Sequence, residues 1–167
     1  MRPLALLAAA LLALTLVATA DAGAASKRRS KLWATVNVCD TKAHPNAIGI
    51  RASMPGNGVR RQRMYMRIQV QFFRTSDGKW HDLGSDGDSG FFTVGSARFR
   101  RREAGRTFTL GTPPAGSQYR LRGAVTFEWR RGDEVLRRAK RMTKGGHRGT
   151  RGSDPKGFSA AECRVLP

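Results

Sequence analysis

Carboxylates are scarce in this chain. Against 31 Lys and Arg stand 12 Asp and Glu in 167 residues, a formal net charge of +19. The shortage excludes a surface that neutralises itself, and a field of that size draws polyanions from a distance. Histidine is equally thin: His44, His81 and His147 lie far apart without metal-ligand spacing. Helical periodicity is missing over any useful length, which excludes a helical domain. The long hydrophobic run is confined to the first residues, where Arg2 precedes a Leu/Ala-rich stretch ending at Ala20. Small residues follow as Ala18-Thr19-Ala20 and Ala22-Gly23-Ala24, so residues 1–25 read as a secretory signal cleaved after Ala20 or Ala24. The run is short and Ala-rich for a spanning helix, and no cysteine stands there to carry a lipid.

Residues 26–167 are then one secreted domain, with enough chain for a single core and not for two. Cys39 and Cys163 are the two cysteines, and in an oxidising compartment they pair and close a loop of 124 residues. An intermolecular bridge or two free thiols are the alternatives. Arg outnumbers Lys 24 to 7 in a chain also rich in Ala and Gly, so biased composition and selected charge both account for the basicity.

What is present is alternation. Tyr119, Leu121, Gly123, Val125, Phe127 and Trp129 interleave with Arg120, Arg122, Ala124, Thr126, Glu128 and Arg130, so 118–131 reads as a long central strand with one buried face. Strands are expected at 32–39, at 48–54, at 63–73 with Met64, Met66, Ile68, Val70 and Phe72 inward, and at 79–83 after the Asp77-Gly78 turn. Phe91 to Leu110 is expected as two or three short strands broken at Gly95 and Gly105, and 135–142 as an edge strand carrying charge. Residues 143–157 form a Gly-rich basic loop whose far end Cys163 would anchor.

Residues 46–142 resemble an immunoglobulin-like sandwich, most nearly the fibronectin type III pattern. The resemblance rests on Arg63 to Leu83 with Tyr65, Ile68, Val70 and Trp80, on Phe108-Thr109-Leu110 before a Pro/Gly corner and Tyr119-Arg120-Leu121-Arg122, and on the closing hairpin 119–142. The chain is also similar to secreted bacterial proteins. Short strands with turn signals between them give an all-β class, a sandwich or barrel; the resemblance implies a single antiparallel β-sandwich with the Tyr119 hydroxyl bonded back to upstream backbone, which the Cys39–Cys163 pair would close. It departs at Met54, where that family buries a Trp, and its cysteine pair is not the one of antibody domains.

Chemistry is thin. Gly87-Asp88-Ser89-Gly90 resembles the nucleophile loop of trypsin-like proteases and Ala43-His44 their histidine region, yet one domain cannot supply the two barrels that unite such a triad. Asp82, Asp86 and Asp88 could begin a calcium site but lack the closing Glu of an EF-hand. Arg131-Gly132-Asp133 sits in the last hairpin turn, where one fibronectin module presents an integrin-binding tripeptide, and Gly-Asp is also ordinary turn chemistry. The basic residues remain. With the third and central strands adjacent, Arg63, Arg67, Arg120 and Arg122 share an outer face with Tyr65, extended by Arg137 or Arg138, with Glu128 or an external anion offsetting the repulsion. Arg98, Arg100, Arg101, Arg102 and Arg106 form a second cluster in a loop or edge.

The expectation is a secreted or cell-envelope-associated binding module without catalytic residues, cofactor, small-molecule substrate or specific nucleic acid. Its expected partner is an anionic cell-wall polymer or polysaccharide held at Arg63, Arg67, Arg120 and Arg122. A structural domain binding a protein through loops 84–90 or 143–157 is the alternative, and a hydrolase the third class.

Overall fold

Alternation becomes strand almost wherever it occurs. The computed structural model describes residues 32–167; the leader read as a signal over residues 1–25 lies outside the described residues. The strands are β1 (Trp33–Thr41), β2 (His44–Pro55), β3 (Arg63–Arg74), β4 (Lys79–Asp82), β5 (Asp88–Ser96), β6 (Arg101–Thr109), β7 (Tyr119–Arg131), β8 (Glu134–Met142) and β9 (Glu162–Val165), with a single 3-10 turn at Ser85–Gly87. All ladders between them are antiparallel.

Two sheets enclose one core. The first has the order β1-β2-β6; the second has β4-β3-β7-β8, with β5 also on β3 and β9 also on β7. Thus β3 and β7 are central, and each outer edge of the pair is shared by two short strands. Met64, Met66, Ile68 and Val70 from β3 and Leu121, Val125, Phe127 and Trp129 from β7 face Val36, Ile48, Ile50, Ala52 and Met54 from the first sheet, all buried. The sheets press closest at Gly123, where a Cβ would stand 2.7 Å from Ile50 Cδ1 and 2.8 Å from Thr143 Cγ2. Glycine is required there for room.

Three expectations need correction. Neither Gly95 nor Gly105 breaks a strand: Gly95 lies inside β5 opposite Met64, and Gly105 lies inside β6 opposite Arg51, where a Cβ would come within 2.7 Å of the Ile50 carbonyl oxygen. Gly105 permits close approach to β2 rather than ending pairing. Tyr119 forms no corner, since among the described residues its hydroxyl has no hydrogen-bond partner, and its ring lines an open apolar cleft of about 440 Å³ with Phe72, Leu83, Leu110 and Leu121. The third is β9, which was not foreseen. Four residues are too short for a periodic signal, and the strand exists because β7 runs past the end of β8 and offers Tyr119 to Arg122 a free edge.

The glycine-rich segment after β8 is stitched down along its length. Lys144 N–H donates to the Ala34 carbonyl at 2.8 Å, Val36 and Ala160 exchange two backbone bonds of 3.0 Å, and Asp154 N–H reaches the Asn37 carbonyl at 2.9 Å. Asn37 Nδ2 donates to the Gly152 carbonyl, and His147 stacks on Trp33 with centroids 4.5 Å apart. The free edge of β1 is thereby covered, which removes a site for pairing with another chain. Cys39 on β1 and Cys163 on β9 are bonded, Cα to Cα 5.4 Å, so the disulfide joins the two sheets.

Replacing both cysteines by serine is expected to lower unfolding free energy by about 4 kcal/mol, as a closed loop of 124 residues implies. Urea unfolding of the variant, and of the unaltered protein with reductant, measures it. A loss below about 1 kcal/mol would mean that the long loop is not what the bridge restrains.

Candidate functional site: a basic pole

The outer face of the second sheet holds the arginines that the sequence singled out, and it holds them occupied. Arg67 grips Asp88 through Nε, at 2.9 Å to each oxygen, and through Nη2. Arg120 forks onto Glu162 with bonds of 2.6 and 3.0 Å and lies over the rings of Phe73 and Trp80. Arg122 donates to Gln71 Oε1 at 2.9 Å and stacks on Trp80 at 4.3 Å. Glu128, fully buried, sits between Arg130 and Arg138, accepting at 2.7 and 2.6 Å, while Arg130 also covers Tyr65. Asp88, Glu162 and Glu128 thus hold Arg67, Arg120, Arg130 and Arg138 in ion pairs, and Arg122 is held by Gln71 and Trp80 without one. Of the four predicted anion-binding residues, Arg63 alone is exposed without an ion-pair partner among the described residues.

The repulsion expected for this face is offset at Arg67 by Asp88 and at Arg120 by Glu162, whereas Glu128, the carboxylate expected to offset it, takes Arg130 and Arg138 and touches none of the four predicted arginines. Hydrogen bonds from Arg67 hold Asp88 below the ordinary carboxylate range against the opposing effect of burial, and Arg120 does the same for Glu162.

Six exposed arginines without an ion-pair partner among the described residues, Arg60, Arg61, Arg63, Arg98, Arg100 and Arg131, gather at one end of the molecule. The β2–β3 loop and the β5–β6 turn are bonded to each other: Gly56 N–H donates to the Arg100 carbonyl, Asn57 and Gly58 N–H to that of Ala97, and Ala97 N–H to that of Gln62, at 2.9–3.1 Å. Ser96 Oγ adds a bond to the Arg60 carbonyl. The approach is so close that a Cβ on Gly56 would fall 1.9 Å from the Phe99 carbonyl oxygen. Arg60, Arg61, Arg98 and Arg100 are exposed on these loops, with Arg63 at the adjoining start of β3. Register brings the β7–β8 turn with Arg131 to the same end, because Arg63 pairs with Arg130. Chain separation hid this site: its parts come from three connections that are neighbours only after both sheets form.

The rest of the second arginine cluster serves the edge of the first sheet. Arg102 and Arg106 pair with Met54 and Ile50, so they point from the edge strand β6 toward the core side. Their guanidiniums cap Phe99 at 3.9 Å and Phe92 at 4.0 Å. Inward charges on an edge strand discourage pairing with another chain.

The other candidates are placed apart. Asp88 is committed to Arg67 and Asp82 accepts from Gln71, so the three loop carboxylates do not converge, and among the described residues no His, Cys, Asp or Glu group could hold a metal. Ser89 Oγ accepts from Ile68 N–H and donates to the Gly90 carbonyl, and no histidine reaches it among the described residues. Loop 84–90 becomes the 3-10 turn and the start of β5, so both proposed partner loops are bonded into the body. A scan against protein-family models gives no match, and a search of the curated proteins gives none either. No helix among the described residues is long and apolar enough to cross a membrane.

Two outcomes are expected. Gly56→Ala must push the two loops apart and costs about 2 kcal/mol or more, read from urea midpoints; an unchanged midpoint would show that the close approach is not maintained. Acidification destabilises the protein in two stages. Burial lowers His147, so below its ordinary 6.5 the unfolded chain takes the proton first. Asp88 and Glu162 contribute stability that is complete above about pH 5 and lost as pH falls through their depressed values. Midpoints measured from pH 8 to pH 3 test this: His147→Gln should remove the first stage and Arg67→Gln with Arg120→Gln the second, and stability rising on acidification would refute it.

Proposed function

We propose that this chain is a fibronectin type III-like sandwich acting outside the cell as a non-catalytic module that binds polyanions through its basic pole. The observation carrying the reading is the pairing of loops 56–62 and 96–100, which gathers exposed arginines on a hydrogen-bonded platform while Arg67, Arg120, Arg130 and Arg138 of the sheet face are held in ion pairs. Anions bound there meet guanidiniums whose backbone is already ordered, so less entropy is lost on binding. Arg forks take phosphate, sulfate or carboxylate two oxygens at a time, and binding releases the counterions condensed on the polymer.

The strand orders support the fold part of the reading. A β1-β2-β6 sheet over a sheet containing β4-β3-β7-β8 is an order such a sandwich would have, with β5 on β3 and β9 on β7 as additions. The disulfide, together with the leader read in the sequence, supports an oxidising location. The reading departs from the sequence expectation in one respect: the binding residues are those of the pole, and Arg67, Arg120 and Arg122 are framework.

Retention on a heparin or polyphosphate column tests it. Replacing Arg60, Arg61, Arg98 and Arg100 by Gln should move elution to lower salt and reduce the log–log salt slope by up to about 3. Arg67→Gln with Arg120→Gln should leave retention nearly unchanged. Equal losses from both sets would return binding to the sheet face, and no salt-sensitive retention at all would end the proposal.

A further inference from the structure

Resting on that polyanion reading, the geometry points to a narrower partner: an anionic lipid bilayer, on which the pole docks with Val59, Phe99, Val135 and Leu136 entering the headgroup layer. Six large hydrophobic residues are exposed among the described residues, and these are four of them, at 37 to 40 %. Single exposed apolar residues are normal on any protein. Four at the end where Arg60, Arg61, Arg63, Arg98, Arg100 and Arg131 are exposed form the combination interfacial docking uses, apolar side chains that gain by leaving water among cations drawn to lipid phosphate. They come from the β2–β3 loop, the β5–β6 turn and the start of β8, so the tip is a surface built by folding and not a run of sequence.

The side-chain chemistry favours a bilayer over a soluble polymer. A polysaccharide or nucleic acid could satisfy the arginines but offers little to aliphatic Val59, Val135 and Leu136. Base stacking needs a free ring, and Phe99 already has two guanidiniums over it, Arg98 at 4.4 Å and Arg102 at 3.9 Å. Those same cations suit a ring set among lipid phosphates. Charge also orients the approach. Asp77 and Asp86 lie in connections at the opposite end and Asp40 and Asp82 in the strand ends there; at the arginine end Asp133 and Glu134 at the β7–β8 turn stand against six exposed arginines, so that end stays positive and an anionic surface attracts it first.

Co-sedimentation of the purified protein with vesicles tests the inference, comparing roughly equimolar phosphatidylglycerol and phosphatidylcholine with pure phosphatidylcholine near physiological salt. Binding is expected to the mixed vesicles alone. Val59→Ser with Leu136→Ser should lower vesicle partitioning about tenfold while leaving polyphosphate-column retention unchanged, which also reports a folded pole. Arg60→Gln with Arg98→Gln should weaken both, by about fivefold per arginine on vesicles. Unchanged vesicle binding by the serine variant, or column retention without vesicle binding, overturns the bilayer and leaves a soluble polyanion as partner. Failure of the unaltered protein on both supports overturns the underlying reading as well.

Discussion

The pairing of β3 with β7 places nearly everything else. Its rungs run unbroken from Arg63 opposite Arg130 to Phe72 opposite Leu121. Every second rung turns Met64 and Trp129, Met66 and Phe127, or Ile68 and Val125 into the core, and the rungs between turn Tyr65 and Glu128 or Gln71 and Arg122 outward. A slip of one residue would bury the arginines and expose Phe127, so the register is held by the whole apolar face at once. The same register sets Glu128 within reach of Arg130 on its own strand and Arg138 on the next. It also brings the start of β3 to the end of β7, where the basic pole forms.

A chain with so few carboxylates must still put its arginines somewhere. On the sheet face it uses Asp88, Glu128 and Glu162 as partners and aromatic rings as platforms, with Arg122 lying on Trp80 and Arg130 on Tyr65. On the edge strand β6 it turns Arg102 and Arg106 inward over Phe99 and Phe92. Of those left, Arg60, Arg61, Arg98 and Arg100 stand together on the loops of one end, and others such as Arg141, Arg148 and Arg164 are spread over β8, β9 and the segment between them.

The two ends of the domain are tied together by covalent and backbone means. The bridge from Cys39 to Cys163 links the sheets, and the chain leading to it is bonded along β1 through Lys144, Asp154 and Ala160. A segment whose composition suits a free tail is ordered because its backbone completes the unpaired edge of β1.

Sequence by itself determined the all-β class, the inward faces of β3 and β7, the edge role of β8 and the cysteine pair, because period-two alternation and cysteine count are local quantities. It also placed Glu128 on the outer face among the arginines, since adjacency of two alternating strands fixes which residues share a face, but it did not find Asp88 and Glu162 as the partners of Arg67 and Arg120. Only the tertiary structure decided which arginines are free. Arg67 and Arg63 stand in the same strand on the same face and look alike in sequence, yet one is paired with Asp88 from β5 and the other is not. Partners of that kind come from residues distant along the chain, and the loops that form the basic pole meet only once both sheets have closed on their core.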